Sequence, residues 1–276
     1  MKPITTVNYH FTRKCNFKCS YCFAHFDNKK ELYYEEQKEL IKQIAACGYF
    51  DKINFAGGEP MMDKNLSQHL QLSKELGLQT SIITNGSLLK PEWIKENAQY
   101  VDIIGISIDS INKDTNKQIG RNTKLDNTFM NNIKLIHEYG IGLKINTTVN
   151  TFNKNEILTS FINEIKPFRW KILQTTKIEG ENSENYNKVC VTKEAFELFY
   201  NNNRKELLPE IKIITELSDD MTSSYCMIDP SGRFYNNAHH KLSYSEPILQ
   251  IGIEKAYNMM EYKYDKFEDR GGIYNI

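Results

Sequence analysis

The stretch VNYHFTRKCNFKCSYC, residues 7–22, decides how this chain is read. Val7 to Thr12 is a β-branched and aromatic run of strand length, and Cys15, Cys19 and Cys22 follow it at Cys-x3-Cys-x2-Cys spacing. In a parallel α/β architecture the loop after a strand lies on the active-site edge. Three soft thiolates on one short loop suit an iron–sulfur cubane, which leaves its fourth iron without a protein ligand and free to chelate a small molecule. A closed structural zinc site wants four ligands, usually as two Cys-x2-Cys pairs, and Cys47, Cys190 and Cys226 stand too far apart in sequence to supply the second pair.

Outward from that loop, short strand-like runs alternate with amphipathic stretches. The runs fall at residues 7–12, 52–56, 79–84, 101–108, 142–149 and 169–175. Between them Leu66, Leu70 and Leu76, then Phe129, Ile133 and Ile136, then Ile157, Phe161 and Ile165 recur at helical spacing, with stop signals at Gly77, Gly140 and Pro167. About six β-α units predict a parallel sheet with right-handed crossovers, either doubly wound or a partial (β/α)6 TIM-like barrel. Beyond residue 176 the pattern breaks. Residues 178–187 read as a polar loop, 192–202 as a helix, 224–235 as two strands joined by a Pro-Ser-Gly turn, and 249–260 as a last helix before an Arg270-Gly271-Gly272 tail.

Length and composition bound the rest. The 276 residues suit one α/β core, residues 1–176, with a C-terminal extension, residues 177–276, that closes the barrel and contributes to the substrate site. Lysine plus arginine equal aspartate plus glutamate at 35 each, so no global field points to nucleic acid or membrane. No apolar run reaches the ~18 residues of a membrane helix, and no signal-like segment precedes the first strand. A cytoplasmic, soluble and monomeric protein is expected.

Strand parity speaks to substrate. Lys52, Asn54 and Ala56 share one face of their strand, Lys144, Asn146 and Thr148 one face of theirs, and Arg169 and Lys171 one face of the sixth; Ile53, Phe55, Leu143, Ile145, Trp170 and Ile172 take the opposite faces. If the apolar faces pack against helices, the polar faces line the interior. Lysines and an arginine there demand counter-charge, and a polyphosphate substrate supplies it. Solvated strand ends are the alternative placement for some of them.

The cysteine loop with Tyr21 before its third cysteine, and the second strand running into Gly57-Gly58-Glu59-Pro60, resemble the radical S-adenosylmethionine (SAM) superfamily. The match narrows over whole segments. NYHFTRKCNFKC from Asn8, KINFAGGEP from Lys52, TNGS from Thr84, IGR from Ile119, KIN from Lys144, RWK from Arg169, IEGEN from Ile178, Ser224-Tyr225 and Arg270-Gly271-Gly272 all resemble the viperin-like enzymes, so the likeness spans essentially the whole chain.

That resemblance implies a 4Fe-4S cluster on Cys15, Cys19 and Cys22, with SAM held by Tyr21, Gly57, Gly58, Glu59, Asn85, Ser107 and Arg121. It implies a ribonucleoside triphosphate met by Asn8, His10, Lys52, Asn54, Lys144, Arg169 and Lys171. A 5′-deoxyadenosyl radical would take the 4′ hydrogen, the 3′ hydroxyl would leave as water, and one electron plus a proton would complete a 3′-deoxy-3′,4′-didehydro nucleotide. Such a product terminates polymerase chains, an antiviral activity. Tyr225 matches a tyrosine that helps deliver the last proton or hydrogen, and the electron would come from a flavodoxin- or ferredoxin-type donor. The Arg270-Gly271-Gly272 tail would fold over the mouth as a lid.

Two departures stand out. Ala56 replaces a serine usual in vertebrate members, and His239-His240-Lys241 differs from their basic loop, which leaves the choice among CTP, UTP and GTP open. Arg121 as a surface salt-bridge residue, His10 as a satisfied core histidine and Tyr225 as packing are the plainer readings of those positions. Another radical SAM reaction, peptide maturation or GTP cyclisation, would need auxiliary clusters for which Cys190 and Cys226 are too few. A non-catalytic metal-binding scaffold is the remaining alternative.

Overall fold

The computed structural model describes residues 6–26 and 30–274; the reading of the first four residues lies outside that range. The strands are β1 (Thr6–Thr12), β2 (Lys52–Gly57), β3 (Gln79–Thr84), β4 (Ile103–Ser107), β5 (Gly142–Val149), β6 (Arg169–Gln174), β7 (Lys212–Glu216), β8 (Cys226–Ile228), β9 (Phe234–Asn236) and β10 (Ser243–Tyr244). Helices α1 (Tyr34–Ala46), α2 (Leu66–Glu75), α3 (Pro91–Asn97), α4 (Lys113–Ile119), α5 (Asn127–Glu138) and α6 (Thr159–Ile165) alternate with the first six strands. The C-terminal part adds α7 (Ser183–Val189), α8 (Lys193–Asn203), α9 (Ser218–Met221), α10 (Ile248–Ile251), α11 (Ile253–Asn258) and α12 (Tyr264–Asp269).

All strands join one sheet in the order β10-β9-β8-β1-β2-β3-β4-β5-β6-β7, parallel from β8 through β7, and the sheet is not closed. The six expected strands are present in the expected order. Register then aligns faces across the sheet. Tyr9 lies opposite Phe55, Phe55 opposite Ile82, Ile82 opposite Ile104 and Ile104 opposite Leu143, which joins the apolar residues of successive strands into one core face under the helices. By the same register Asn8, Asn54 and Ser81 align, as do Ser107, Asn146 and Lys171, and Lys144 with Arg169. The polar face read from strand parity therefore recurs on both sides of β4, where Ile103 and Gly105 interrupt it, because a pleat that buries one face against helices must turn the other inward.

Local signals place the helices. Asp126 accepts from the Thr128 and Phe129 amides at 3.0 and 3.1 Å, opening α5, and Gly140 ends it with φ of 67°. Trp170, fully buried on the helix side, donates its indole N–H to Thr147 Oγ1 at 3.0 Å, so the largest core side chain leaves no unmet donor.

The C-terminal part departs from expectation in three places. The supposed polar loop turns into α7. The run from Lys212 to Glu216 forms β7 on the β6 edge, placing chain from beyond residue 176 on both flanks of the sheet. The helix expected over 249–260 is split at Gly252, whose φ of 85° and ψ of 151° cannot continue a helix, and α12 follows it.

Candidate active site

A cavity of about 330 Å³ opens among the parallel strands, with Cys15, Cys19 and Cys22 at its outer end and Lys144, Lys171 and Tyr225 deeper in. The cysteine loop is pinned from two sides by backbone contacts that only glycine permits. Gly58 and Glu59 donate their amides to Thr12 O and Lys14 O at 2.7 Å each, and a Cβ at Gly58 would sit 2.1 Å from Lys14 O. On the other side Lys18 N donates to Gly120 O at 3.1 Å and Ser20 N to Ile119 O at 2.9 Å, where a Cβ at Gly120 would meet Lys18 O at 2.0 Å. The Gly-Gly-Glu segment and the Ile119-Gly120-Arg121 segment are thus two halves of one clamp.

Burial pushes the Cys19 thiol up to about 11 and Cys22 up to about 12, so these thiols stay protonated unless a metal takes the proton's place. Among the described residues no three metal-type side chains close around a single ion. The loop carries three thiols, enough to give one thiolate to each of three cluster irons, whereas a closed structural zinc would want a fourth ligand.

Beside the loop lie two buried acids. Glu59 accepts from Thr84 Oγ1 at 2.5 Å and from the Asn85 and Met61 amides at 2.7 and 3.1 Å; burial pushes its carboxyl up, and these donors oppose the rise. Asn85, at the cavity wall, gives its side-chain N–H to Asn16 Oδ1 at 2.9 Å. Asp109 accepts from Tyr21 OH, from Arg121 Nη1 at 3.0 Å and from the Thr148 amide at 2.8 Å. Arg121 Nη2 also donates to the Ser107 carbonyl at 2.7 Å. At 7 % exposure Arg121 is not a surface residue, which corrects that alternative. Tyr21, Ser107 and Arg121 come together at the wall beside the cysteines.

The inner wall is polar. Asn54 donates to Asn8 Oδ1 at 2.8 Å and accepts from Ser81 Oγ at 2.7 Å, a ladder across β1 to β3. His10 lines the cavity, yet burial pushes its imidazole down to about 3 and its Nδ1 pairs with Tyr235 OH at 3.0 Å, so it is a neutral, partnered ring. Deeper still, Glu216 is fully buried at the end of β7. Its Oε1 meets Lys171 Nζ and, at 2.9 Å, Arg270 Nη1; its Oε2 accepts from Tyr225 OH at 2.5 Å. Tyr225 OH in turn accepts from Lys171 Nζ at 2.6 Å, and the Arg270 guanidinium lies 3.7 Å above the Tyr225 ring.

Lys52 and Arg169 lie beneath the cavity, around Tyr274, with Lys52 Nζ 4.0 Å and Arg169 Cζ 4.3 Å from its ring centre. Arg169 Nη2 donates to Gly271 O at 2.6 Å, but its Nε and Nη1 are buried without a partner among the described residues. Asn146 Oδ1 and the hydroxyls of Thr175 and Thr176, which belong to cavity-lining residues, are equally unpartnered. Since Lys52 and Arg169 open their strands and the cysteines follow the end of β1, the Arg270–Tyr274 tail packs at the end of the barrel opposite the cysteines. It is not the lid over the mouth that the sequence suggested.

Sequence reasoning missed Glu216, Asp109 and Tyr274. Asp109 has a signal, two positions after Ser107 on the same parity. Glu216 ends a β-branched run, Ile213-Ile214-Thr215, that merited reading as a strand. Tyr274 sits in a tail without periodicity.

A cysteine loop clamped by a Gly-Gly-Glu turn at the carboxyl ends of parallel strands defines the radical SAM class, and residues 9–161 match the Radical SAM superfamily model. The chain therefore belongs to that superfamily. Within it the chain belongs to the family of the S-adenosylmethionine-dependent nucleotide dehydratases. It is 41 % identical over 282 residues to the protein of that name from Flammeovirga pacifica, covering 98 % of this chain and 96 % of that one. It is 34 % identical over 285 residues to the RSAD2 dehydratase of Siniperca chuatsi, covering 98 % and 78 %. Among solved structures, Streptococcus suis SuiB bound to S-adenosylmethionine shares the fold with a TM-score of 0.64 at 18 % identity, over 84 % of this chain and 60 % of SuiB. The anSMEcpe structure with bound AdoMet gives 0.61 at 17 %, over 97 % and 79 %.

Proposed function

We propose that this protein dehydrates a ribonucleoside triphosphate to its 3′-deoxy-3′,4′-didehydro analogue, a polymerase chain terminator with an antiviral role. The observation that carries this reading is the pair of cations, Lys144 and Lys171, lining the pocket that holds the cysteine loop, with Lys52 and the Arg169 guanidinium, two of whose nitrogens are unpartnered among the described residues, beneath its floor. Buried donors without acceptors call for an anionic ligand. When bound to Cys15, Cys19 and Cys22, a 4Fe-4S cluster with SAM supplies the one-electron chemistry that generates a 5′-deoxyadenosyl radical.

The chain's own side chains do the rest. Gly57, Gly58 and Glu59 offer backbone and carboxylate to the methionyl amine, while Arg121, fixed by Asp109 and Tyr21, and Ser107 with Asn85 hold the remainder of SAM. Lys52, Lys144, Arg169 and Lys171 anchor the triphosphate at the inner end, which turns the ribose toward the cysteines. Asn8, His10 and Asn54 flank the nucleoside. Once the 4′ hydrogen is gone, Tyr225 is placed to supply the proton with which the 3′ hydroxyl leaves as water, one external electron completes the didehydro sugar, and Lys171 and Glu216, in hydrogen-bond contact, reset the phenol. The extension, residues 177–276, completes the substrate site through Glu216, Tyr225 and Arg270.

The electron comes from a flavodoxin- or ferredoxin-type donor. The protein acts as a cytoplasmic monomer. Among the described residues no helix is long and apolar enough to cross a membrane. The base, cytosine, uracil or guanine, is set near the departing segment His239-His240-Lys241. The test is anoxic incubation of reconstituted protein with SAM, dithionite and each of CTP, UTP, GTP and ATP. One nucleotide accelerates 5′-deoxyadenosine formation; no acceleration by any of them refutes the reading.

A further inference from the structure

We infer that the inner chamber selects the metal-free nucleoside triphosphate and turns away its magnesium complex. This rests on the dehydratase reading for the ligand, and on charge for the rest. Lys52, Lys144, Arg169, Lys171 and Arg270 are all buried, and among the described residues Glu216 is the carboxylate in contact with them. Among the described residues, five positive side chains stand against one carboxylate, an excess of cationic groups. They form one connected set. Tyr274, whose phenol burial pushes up but Lys144, Lys52 and Arg169 hold below its ordinary value, lies against those three cations, while Glu216 joins Lys171 to Arg270.

A nucleoside triphosphate carries about four negative charges near neutral pH, since its terminal phosphate has a second ionisation near pH ~6. The free tetra-anion therefore offsets the cationic excess most fully. Its magnesium complex, with two fewer negative charges, leaves more of the buried positive charge unbalanced, a state that low-dielectric surroundings penalise heavily.

The chemistry of the ligands points the same way. Magnesium demands a compact octahedral shell of oxygens, usually carboxylates and water. Both Glu216 oxygens are already engaged, Oε1 by Lys171 and Arg270 and Oε2 by Tyr225. The next acids outward are spoken for as well: Asp102 by Lys74 and the Thr80 amide, Glu59 by Thr84, Asn85 and Met61, and Asp109 by Arg121 and Tyr21. What the chamber does offer is unpartnered N–H donors, Arg169 Nε and Nη1 and Arg270 Nε. These compete with a metal for the same phosphate oxygens. Burial also pushes the Lys52 and Lys171 ammoniums down, so an incoming full-strength anion is what restores their charge.

The experiment titrates CTP, UTP and GTP into SAM-loaded holoenzyme by calorimetry, in metal-free buffer and in tenfold excess magnesium at matched ionic strength, and follows 5′-deoxyadenosine formation under the same conditions. Excess magnesium is expected to weaken apparent affinity and sub-saturating rate by about tenfold or more, in proportion to the uncomplexed nucleotide. The exchange-inert tetraammine-cobalt(III) complex of the same nucleotide is expected not to compete. Equal or tighter binding with magnesium, or competition by the cobalt complex, overturns the inference. Lys52→Met, checked for retained SAM binding, should narrow the preference between the two forms; an unchanged ratio also overturns it. Nucleotide that binds in its free form without accelerating SAM cleavage sinks the dehydratase reading and leaves the charge assignment standing. No binding of either form sinks both.

Discussion

Replacing Glu216 by Gln perturbs the site where its charge balance is tightest. The carboxylate is fully buried and makes contact with Lys171, Arg270 and Tyr225, so the variant leaves two buried cations facing an amide. Removing one partner of a buried ion pair costs on the order of 3–5 kcal/mol, because the surviving charge stays desolvated. In a chain of this size that corresponds to a fall in Tm of roughly 6–20 °C. Burial pushes the Glu216 carboxyl up, but Lys171 and Arg270 outweigh it and hold the group at about 2. A folded value below the unfolded one of about 4.3 gives stability that is present above the unfolded value and lost as pH falls toward the folded value. The difference between parent and Glu216→Gln should therefore be full at pH 7 and shrink between about pH 4.5 and 2. Thermal unfolding of both proteins across pH, with and without inorganic tripolyphosphate, reads this directly. Tripolyphosphate should rescue the variant more than it stabilises the parent, since an external anion replaces the lost one. A Tm within about 2 °C of the parent, or a difference that does not depend on pH, would show that Lys171 and Arg270 do not rely on Glu216.

Other expected outcomes concern the two ends of the cavity. Lys171→Ala or Arg169→Ala should raise the KM for nucleotide by about 10- to 100-fold, from the loss of a charge-assisted contact of roughly 1.5–3 kcal/mol, while SAM affinity stays unchanged; steady-state kinetics beside SAM titration checks it, and an unchanged KM in both contradicts the placement of the triphosphate. Gly58→Ala puts a methyl group 2.1 Å from Lys14 O, so the cysteine loop must shift; iron content after reconstitution should fall well below the parent's, and full loading would refute the clamp. Because burial lowers the Lys52 and Lys171 ammoniums and only their charged forms hold phosphate, nucleotide KM should rise with pH on the alkaline side, starting below the ordinary lysine range, whereas the KM for SAM should not follow it.

The half of the site near the cysteines was legible because it is local. Cys15, Cys19, Cys22 and the Gly57-Gly58-Glu59 turn are short motifs whose spacing carries their chemistry, and strand periodicity put them on one edge of the sheet. Strand parity reached further than motifs. It turned Lys144 and Lys171 inward before any contact was known, since a face opposite Ile145 and Trp170 has nowhere else to go. It said nothing of which cations share a counter-ion. Glu216 is more than forty positions from Lys171, on a strand that short helices and loops conceal, and sequence cannot show that β7 returns to the β6 edge. The tail failed for a similar reason. Arg270-Gly271-Gly272 has no period, so its packing against Arg169 follows from that guanidinium's need for an acceptor.

The central claim, that the inward cations aim a ribose at the cysteine loop, is tested most directly by the fate of one hydrogen. Reconstituted protein is incubated under strict anoxia with SAM, dithionite and the nucleotide that turns over, labelled with deuterium at the 4′ position. Mass spectrometry of the 5′-deoxyadenosine formed should show one deuterium gained, with a nucleotide product lighter than the labelled substrate by one deuterium and one hydroxyl and missing oxygen at the 3′ carbon. Unlabelled 5′-deoxyadenosine beside unchanged nucleotide would contradict it.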